Sequence, residues 1–282
     1  MKVAAITDLK PIYEYQLRFA APYFFPADYA SWQKSFLQDI DGEGRMLFKT
    51  LHSKAVYDGE VPVGFIQYGR TAFGFDETGE ISAKVSYSVI RSLYFDEGRE
   101  DVGHLLLQQA LQDFADEKTV YAFFHYFGMS CFARHGKLFE RFDWIAQLLR
   151  EYGFDLEHKN VYYSSSVQQT VASSIKLLVH ELTKGAQQSF EFVLDGEQIG
   201  VCELHYPDVP GIAYLRWIYV SDELQNQGAG SQCMAALKNW LHERGYTRLD
   251  ADTAMDNHRA QHYYDKNGFT WEGITRSYYR IK

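Results

Sequence analysis

A repeat constrains this chain more than any other feature. IRSLYFDEGREDVGHL (90–105) lies over LRWIYVSDELQNQGAG (215–230) without a gap, at a constant offset of 125 positions. Arg91 matches Arg216, Tyr94 matches Tyr219 and Gly103 matches Gly228. In both copies an apolar, strand-like run leads into a loop and a helix-like run leads out of it. Further matches keep the same order. Asp58-Gly59-Glu60 corresponds to Asp195-Gly196-Glu197, each a turn signal between two alternating segments that read as a hairpin. Gly153-Phe154 corresponds to Gly268-Phe269, Glu157 to Glu272, and Tyr162-Tyr163 to Tyr278-Tyr279. Ordered matches of this kind mean two related domains, and 282 residues with 46% hydrophobic content suffice for two cores of ordinary size. The join falls in SSSVQQTVASS, residues 164–174, which divides the chain into 1–165 and 166–282. Each copy reads as helical segments, a hairpin, a third strand, the glycine-bearing loop, a helix, a strand, another helix and a terminal hairpin, an α/β pattern.

Composition removes several function classes. A formal net charge of -9 and a pI near 5.6 argue against a nucleic-acid partner, which calls for a basic face. No apolar run approaches the roughly 18 residues that cross a bilayer, so no membrane partner is expected and the chain reads as cytoplasmic. Cys131, Cys202 and Cys233 are widely spaced and form no C-x-x-C pair, which suggests buried or idle thiols. His258 and His262 have the i,i+4 spacing of two metal ligands on a helix, but no third ligand is evident and no metal is expected. The aromatic segment YEYQLRFAAPYFFPADYASW, residues 13–32, reads as core packing rather than the wall of a ligand cleft.

The loop QNQGAG is a candidate anion seat. A strand, a glycine-rich turn and a helix in succession leave backbone amides without intrahelical partners, and the helix dipole favours negative charge there. Gly228 and Gly230 allow close backbone approach, and Ala229 adds little bulk. The loop is neither a P-loop nor a full dinucleotide fingerprint.

IYVSDELQNQGAG resembles the signature loop of the Gcn5-related N-acetyltransferase (GNAT) family, Q/R-x-x-G-x-G/A after a strand-ending valine, at Val220, Gln225, Gly228 and Gly230. NHRAQHYYDKNGF resembles the family's N-x-x-A-x-x-x-Y-x-x-x-G-F pattern at Asn257, Ala260, Tyr264, Gly268 and Phe269. The resemblance implies two tandem domains, each with a mixed, mostly antiparallel sheet flanked by helices, the second of them binding acetyl-CoA as cosubstrate. It further implies that backbone groups of Ile218 and Val220 pair with the pantetheine arm. Gln225, Gln227, Gly228, Ala229, Gly230 and Ser231 would then surround the pyrophosphate, Asn257 would contact the cofactor, and Tyr264 would protonate the departing thiolate. A phenol, protonated at neutral pH, suits that last role.

The general base is less legible, because AYLRWIYV contains no carboxylate. Glu203 and His205, two apart on an alternating segment, would share a face, and Glu203 is the candidate base. Both also read as solvent-facing polar residues, and Asp250 and Asp252 on RLDADT leave the same two readings open. The first copy departs from the motif: Glu100, His104 and Leu105 stand where the second has Gln225, Ala229 and Gly230, and Phe142, Ile145 and Leu149 replace Asn257, Ala260 and Tyr264. It is therefore expected not to bind the cofactor. The resulting expectation is an acetyltransferase acting on a primary amine of a small molecule or peptide. The alternative is a catalytically silent acyl-CoA-binding sensor. Acyl length and oligomeric state are not legible, a homodimer being one open arrangement.

Overall fold

The computed structural model describes residues 1–41, 43–169 and 173–282. In chain order the elements are β1 (Val3–Ala5), α1 (Lys10–Gln16), α2 (Tyr29–Leu37), β2 (Phe48–Asp58), β3 (Val61–Thr71), β4 (Gly74–Phe75), β5 (Ile81–Ser82), β6 (Ser88–Phe95), α3 (Glu100–Asp113), β7 (Thr119–Ala122), β8 (Leu138–Phe139) and α4 (Asp143–Glu151). There follow β9 (Asp155–Ser166), β10 (Lys176–Val179), β11 (Gln187–Leu194), β12 (Glu197–His205), β13 (Ile212–Val220), α5 (Ala229–Glu243), β14 (Arg248–Ala254), α6 (His258–Lys266) and β15 (Thr270–Ile281). Among the described residues no helix is long and apolar enough to cross a membrane.

Two compact units form, and their memberships cross in the sequence. Unit 1 takes Met1–Asp41, Arg45–Lys159 and Thr275–Lys282; unit 2 is built mainly from Asn160–Ile274. In unit 1 the strands β1, β2, β3 and β6 pair antiparallel in that order, β6 pairs parallel with β7, and Tyr278–Ile281 of β15 run antiparallel to β7. In unit 2 the strands β10, β11, β12 and β13 pair antiparallel, β13 pairs parallel with β14, and Asn160–Ser166 of β9 run antiparallel to β14. The strand that ends each sequence repeat thus completes the sheet of the other. The expected division at 165/166 runs through β9, and Thr170, Val171 and Ala172 of the expected join lie outside the described residues.

Two expectations about the elements are corrected. Each copy ends in one long strand, not a hairpin, because neither 155–166 nor 270–281 contains the two-residue turn that folds a strand back. The hairpin of the second copy is preceded by the short strand β10, with no helix among the described residues there. The β11–β12 turn does follow its sequence signal: Asp195 and Gly196 both have positive φ, 52° and 88°, as a two-residue hairpin turn demands.

The core of unit 2 lies between the sheet and its helices. Cys202, Leu204, Ala213, Leu215, Leu249 and Ala251 from the strands meet Cys233, Leu237, Leu241 and Tyr264 from α5 and α6. All three cysteines are buried and none is in a disulfide. In unit 1 the aromatic segment is core, with Tyr15, Phe19, Tyr23, Phe25 and Trp32 buried.

Candidate functional site

In unit 2 the parallel strands β13 and β14 pair only from Ile212–Arg248 to Leu215–Ala251. β13 then runs on to Val220 and β14 to Ala254, with no pairing between them among the described residues. A register shift opposite Glu203 and Leu204 leaves Arg216 as the extra residue of β13, and such a bulge bends its strand. Beyond it, Trp217 and Tyr219 are 47% and 48% exposed. Backbone groups of Ile218 and Val220 therefore lie on a strand whose β14 side lacks a ladder.

The loop after β13 is braced by its own glutamines. Gln225 Nε2 donates to Val220 O and to Asp222 Oδ1, both at 2.6 Å, and Gln227 Nε2 donates to Glu223 O at 2.6 Å. Gly228, with φ +90°, caps α5 by backbone alone; no side chain closes the helix start, so its first amides are the anion-seeking groups of the turn. Gly230 accepts at its carbonyl from Tyr263 Oη at 2.9 Å, and a Cβ there would stand 3.1 Å from the Tyr263 ring. Tyr263 thus fixes the loop to α6. Neither Ala229 nor Ser231 projects a capping group into the turn.

Asn257 stands at the start of α6, where its Oδ1 accepts from Ala260 N at 3.1 Å. Seven residues on, Tyr264 is buried against Tyr163 and Phe269, with ring centroids 5.3 and 5.1 Å away. Its hydroxyl has no hydrogen-bond partner among the described residues. Burial, and secondarily the charge of Asp252, holds the phenol well above its ordinary pKa, so it keeps its proton across the neutral range.

The carboxylates separate by environment. Glu203 is half-buried, with Arg216 Nε 3.5 Å from its Oε1. His205 is fully buried, so the solvent-facing reading fails for it and the two do not share an exposed face. Asp250 is also fully buried; Arg248 binds it through two nitrogens at 2.7 and 2.8 Å, and Tyr162 Oη donates at 2.7 Å. Burial pushes the Asp250 carboxyl up to about 6, with Arg248 and Tyr162 pulling the other way. Asp252 is half-buried. No group of three or more described His, Cys, Asp or Glu residues could hold a metal, and His258 and His262 gain no third ligand among them.

Residues 150–269 match the model of the acetyltransferase (GNAT) family. The chain carries a GNAT-family domain. Its fold is similar to the GCN5-related glucosamine N-acetyltransferase region of a fungal multi-domain GH3 β-N-acetylglucosaminidase, with a TM-score of 0.66 and 11% identity over 98% of this chain. This chain spans 38% of the length of that protein. A tandem GNAT protein from the clavulanic acid biosynthesis pathway aligns over 89% of this chain and 94% of its own, with a TM-score of 0.58 and 13% identity. A GNAT-family acetyltransferase from Colwellia psychrerythraea aligns over 100% of both chains, with a TM-score of 0.53 and 12% identity. The fold of this chain is thus similar to that of a tandem GNAT protein. A comparison with curated proteins by sequence finds no match.

Unit 1 keeps the frame and fills the gap. β6 and β7 also part after three parallel pairs, and a register shift opposite Gln67 and Tyr68 makes Arg91 the extra residue, the repeat partner of Arg216. Arg91 is buried and donates to Phe127 O, Gly128 O, Ser35 O, Gln67 Oε1 and Asp39 Oδ2. Trp144 Nε1 donates to Phe95 O at 2.9 Å, and Phe95 is the repeat partner of Val220. A side chain thus holds the Phe95 carbonyl as Gln225 holds that of Val220, while Arg91 spans from β6 to the carbonyls of Phe127 and Gly128 beyond β7.

Proposed function

We propose that unit 2 transfers an acetyl group from acetyl-CoA to a primary amine by direct attack. What carries this reading is the coincidence of the β13–β14 parting, which follows the Leu215–Ala251 pair, with the buried Tyr264 of α6. Ile218 and Val220 would pair with the extended pantetheine arm as an added strand does, and the amides of Gln227, Gly228, Ala229, Gly230 and Ser231 would face the pyrophosphate. The side chains of Gln225 and Gln227 hold that loop open. Asn257 caps α6 with Oδ1 and leaves Nδ2 toward the cofactor. Acetyl-CoA supplies an activated acyl group; Tyr264 protonates the departing thiolate.

Glu203 with Arg216, and the exposed rings of Trp217 and Tyr219, form the polar and aromatic ground on which the acceptor would rest. The negative balance of the protein favours cationic amines, of small molecules or of peptides. Unit 1, its gap filled and its loop acidic, binds no acetyl-CoA in this reading.

Calorimetry with acetyl-CoA, followed by thiol release in the presence of a panel of primary amines, tests the whole. One site per chain and amine-dependent release are expected. Two sites of similar affinity would overturn the silent role of unit 1. Binding without release, whatever the amine, would favour a cofactor-binding protein that does no chemistry.

A further inference from the structure

The reading above lacks a proton acceptor, and the parted strands point to one. Asp252 is the first residue of β14 beyond the last pair with β13, Leu215–Ala251. Leu249 and Ala251 enter the core beneath α5 and α6, so alternation along the strand sends Asp250 and Asp252 to the opposite face. There Asp252 is fixed at both oxygens. Tyr214 Oη donates to Oδ1 at 2.5 Å, and Asn160 Nδ2 donates to Oδ2 at 2.8 Å. Its neighbour Asp250 is wholly buried and satisfied by Arg248 and Tyr162, which leaves Asp252 as the β14 carboxylate within reach of a substrate. Glu203, one strand further away, already faces a guanidinium that would compete with an incoming ammonium group.

Unit 1 supplies an internal control. The residue after its last parallel pair, Ile90–Ala122, is Phe123, in a left-handed conformation with φ 57°. Leu149 stands there for Tyr264. The copy without the tyrosine also lacks the carboxylate.

We infer that Asp252 takes the proton of the acceptor amine, with Tyr214 and Asn160 as its positioning residues; this rests on the acetyltransferase reading of the same site. The ammonium form of the acceptor gives one proton to Asp252, which frees the nitrogen lone pair. Nitrogen bonds to the thioester carbonyl carbon as the carbon–sulfur bond breaks, and Tyr264 gives its proton to the leaving sulfur. The surplus proton on nitrogen restores Tyr264 through solvent, and Asp252 returns its own to solvent. One amine cation and one thioester thus become an amide, a thiol and a proton.

The test is thiol release by the full chain from acetyl-CoA with the amine panel, across neutral and alkaline pH, for wild type, Asp252→Asn and Tyr214→Phe. The charged and titratable groups around Asp252 include Tyr214 and Arg216 (β13), Glu203 (β12), Tyr162 (β9), Arg248 and Asp250 (β14), and Tyr264 (α6). Asp252→Asn should lower kcat about 100-fold at neutral pH and regain part of it as the amine becomes its own free base, with acetyl-CoA affinity by calorimetry unchanged. Tyr214→Phe should lower kcat about 10-fold and displace the acidic limb of the profile upward, since a hydrogen bond that stabilises the carboxylate is lost. Carbon NMR of the Asp252 carboxyl in CoA-saturated protein should show the same upward displacement without turnover. An active wild type whose kcat and pH profile survive in Asp252→Asn overturns this assignment alone. A wild type that binds acetyl-CoA yet releases no thiol overturns the acetyltransferase reading and this assignment with it. Should Asp252→Asn not bind acetyl-CoA, Tyr214→Phe and Asp252→Glu decide, and unchanged kcat with an unmoved carboxyl titration overturns the assignment.

Discussion

The loops after β6 and β13 occupy the same place in the repeat and have opposite fates. In unit 1, Glu100–Gly103 are wound into α3; in unit 2 the matching Gln225–Gly228 stay outside the helix, and α5 begins only at Ala229. Both loops hold a glycine at the shared position, each for its own reason. Gly228 sits at φ +90°, where a Cβ would meet nothing within 4 Å, so its service is to the backbone. Gly103 is helical, and a Cβ there would fall 2.6 Å from the Phe95 ring and 2.7 Å from Leu148. Its service is packing. The amides follow suit: Val102 and Gly103 donate to Arg99 O at 3.0 and 3.3 Å, while Glu100 and Asp101 set carboxylates in the first turn. On the proposed function, the difference teaches that unit 1 has closed the anion seat by adding a turn of helix and an acid, with the fold around it kept.

That comparison can be broken at three places. The largest effect is expected from the filled gap. Asp39→Ala leaves the Arg91 guanidinium buried beside carbonyls with no counter-charge, and should destabilise unit 1 by about 3–5 kcal/mol in denaturant unfolding. Arg216→Ala, at the half-buried equivalent, should cost under about 1 kcal/mol. Equal losses would mean that the two bulges do the same work.

Next is Tyr264→Phe, which should lower kcat about 100-fold, roughly 2.7 kcal/mol, and leave calorimetric acetyl-CoA affinity within about twofold. Undiminished turnover removes Tyr264 from the acid role. The smallest effects distinguish the two glycines. Gly103→Ala should destabilise by about 1–3 kcal/mol through overpacking and leave acetyl-CoA binding alone. Gly228→Ala has open space, so its cost is the strained φ, about 1 kcal/mol, and the effect should appear as weakened cofactor affinity. A Gly228→Ala variant that binds acetyl-CoA as the wild type does would separate the loop from the cofactor.

Register also amends one match. The sequence sets Tyr162-Tyr163 against Tyr278-Tyr279, but Tyr163 pairs with Ala251 and Tyr278 with Ala122, the last parallel-paired residues of β14 and β7. Tyr163 and Tyr278 are therefore equivalent, at the same 115-residue offset as Gly153 and Gly268, and only one tyrosine of each doublet is truly matched.

What the sequence determined by itself was local. The repeat, the element order around each loop, the glycine-bearing turn of 225–230, the place of Tyr264 on its helix and the departures of the first copy all follow from turn residues and periodicity, whose physics acts within a few positions. The tertiary structure decided what depends on pairing between distant segments. The crossing of β9 and β15 between units, the bulges at Arg91 and Arg216, the burial of His205 and the capture of Asp252 by Tyr214 and Asn160 arise from strand register. A shift of one residue in that register reverses which face a side chain meets. No spacing within RLDADT distinguishes a sealed Asp250 from a reachable Asp252; the strands that flank them do.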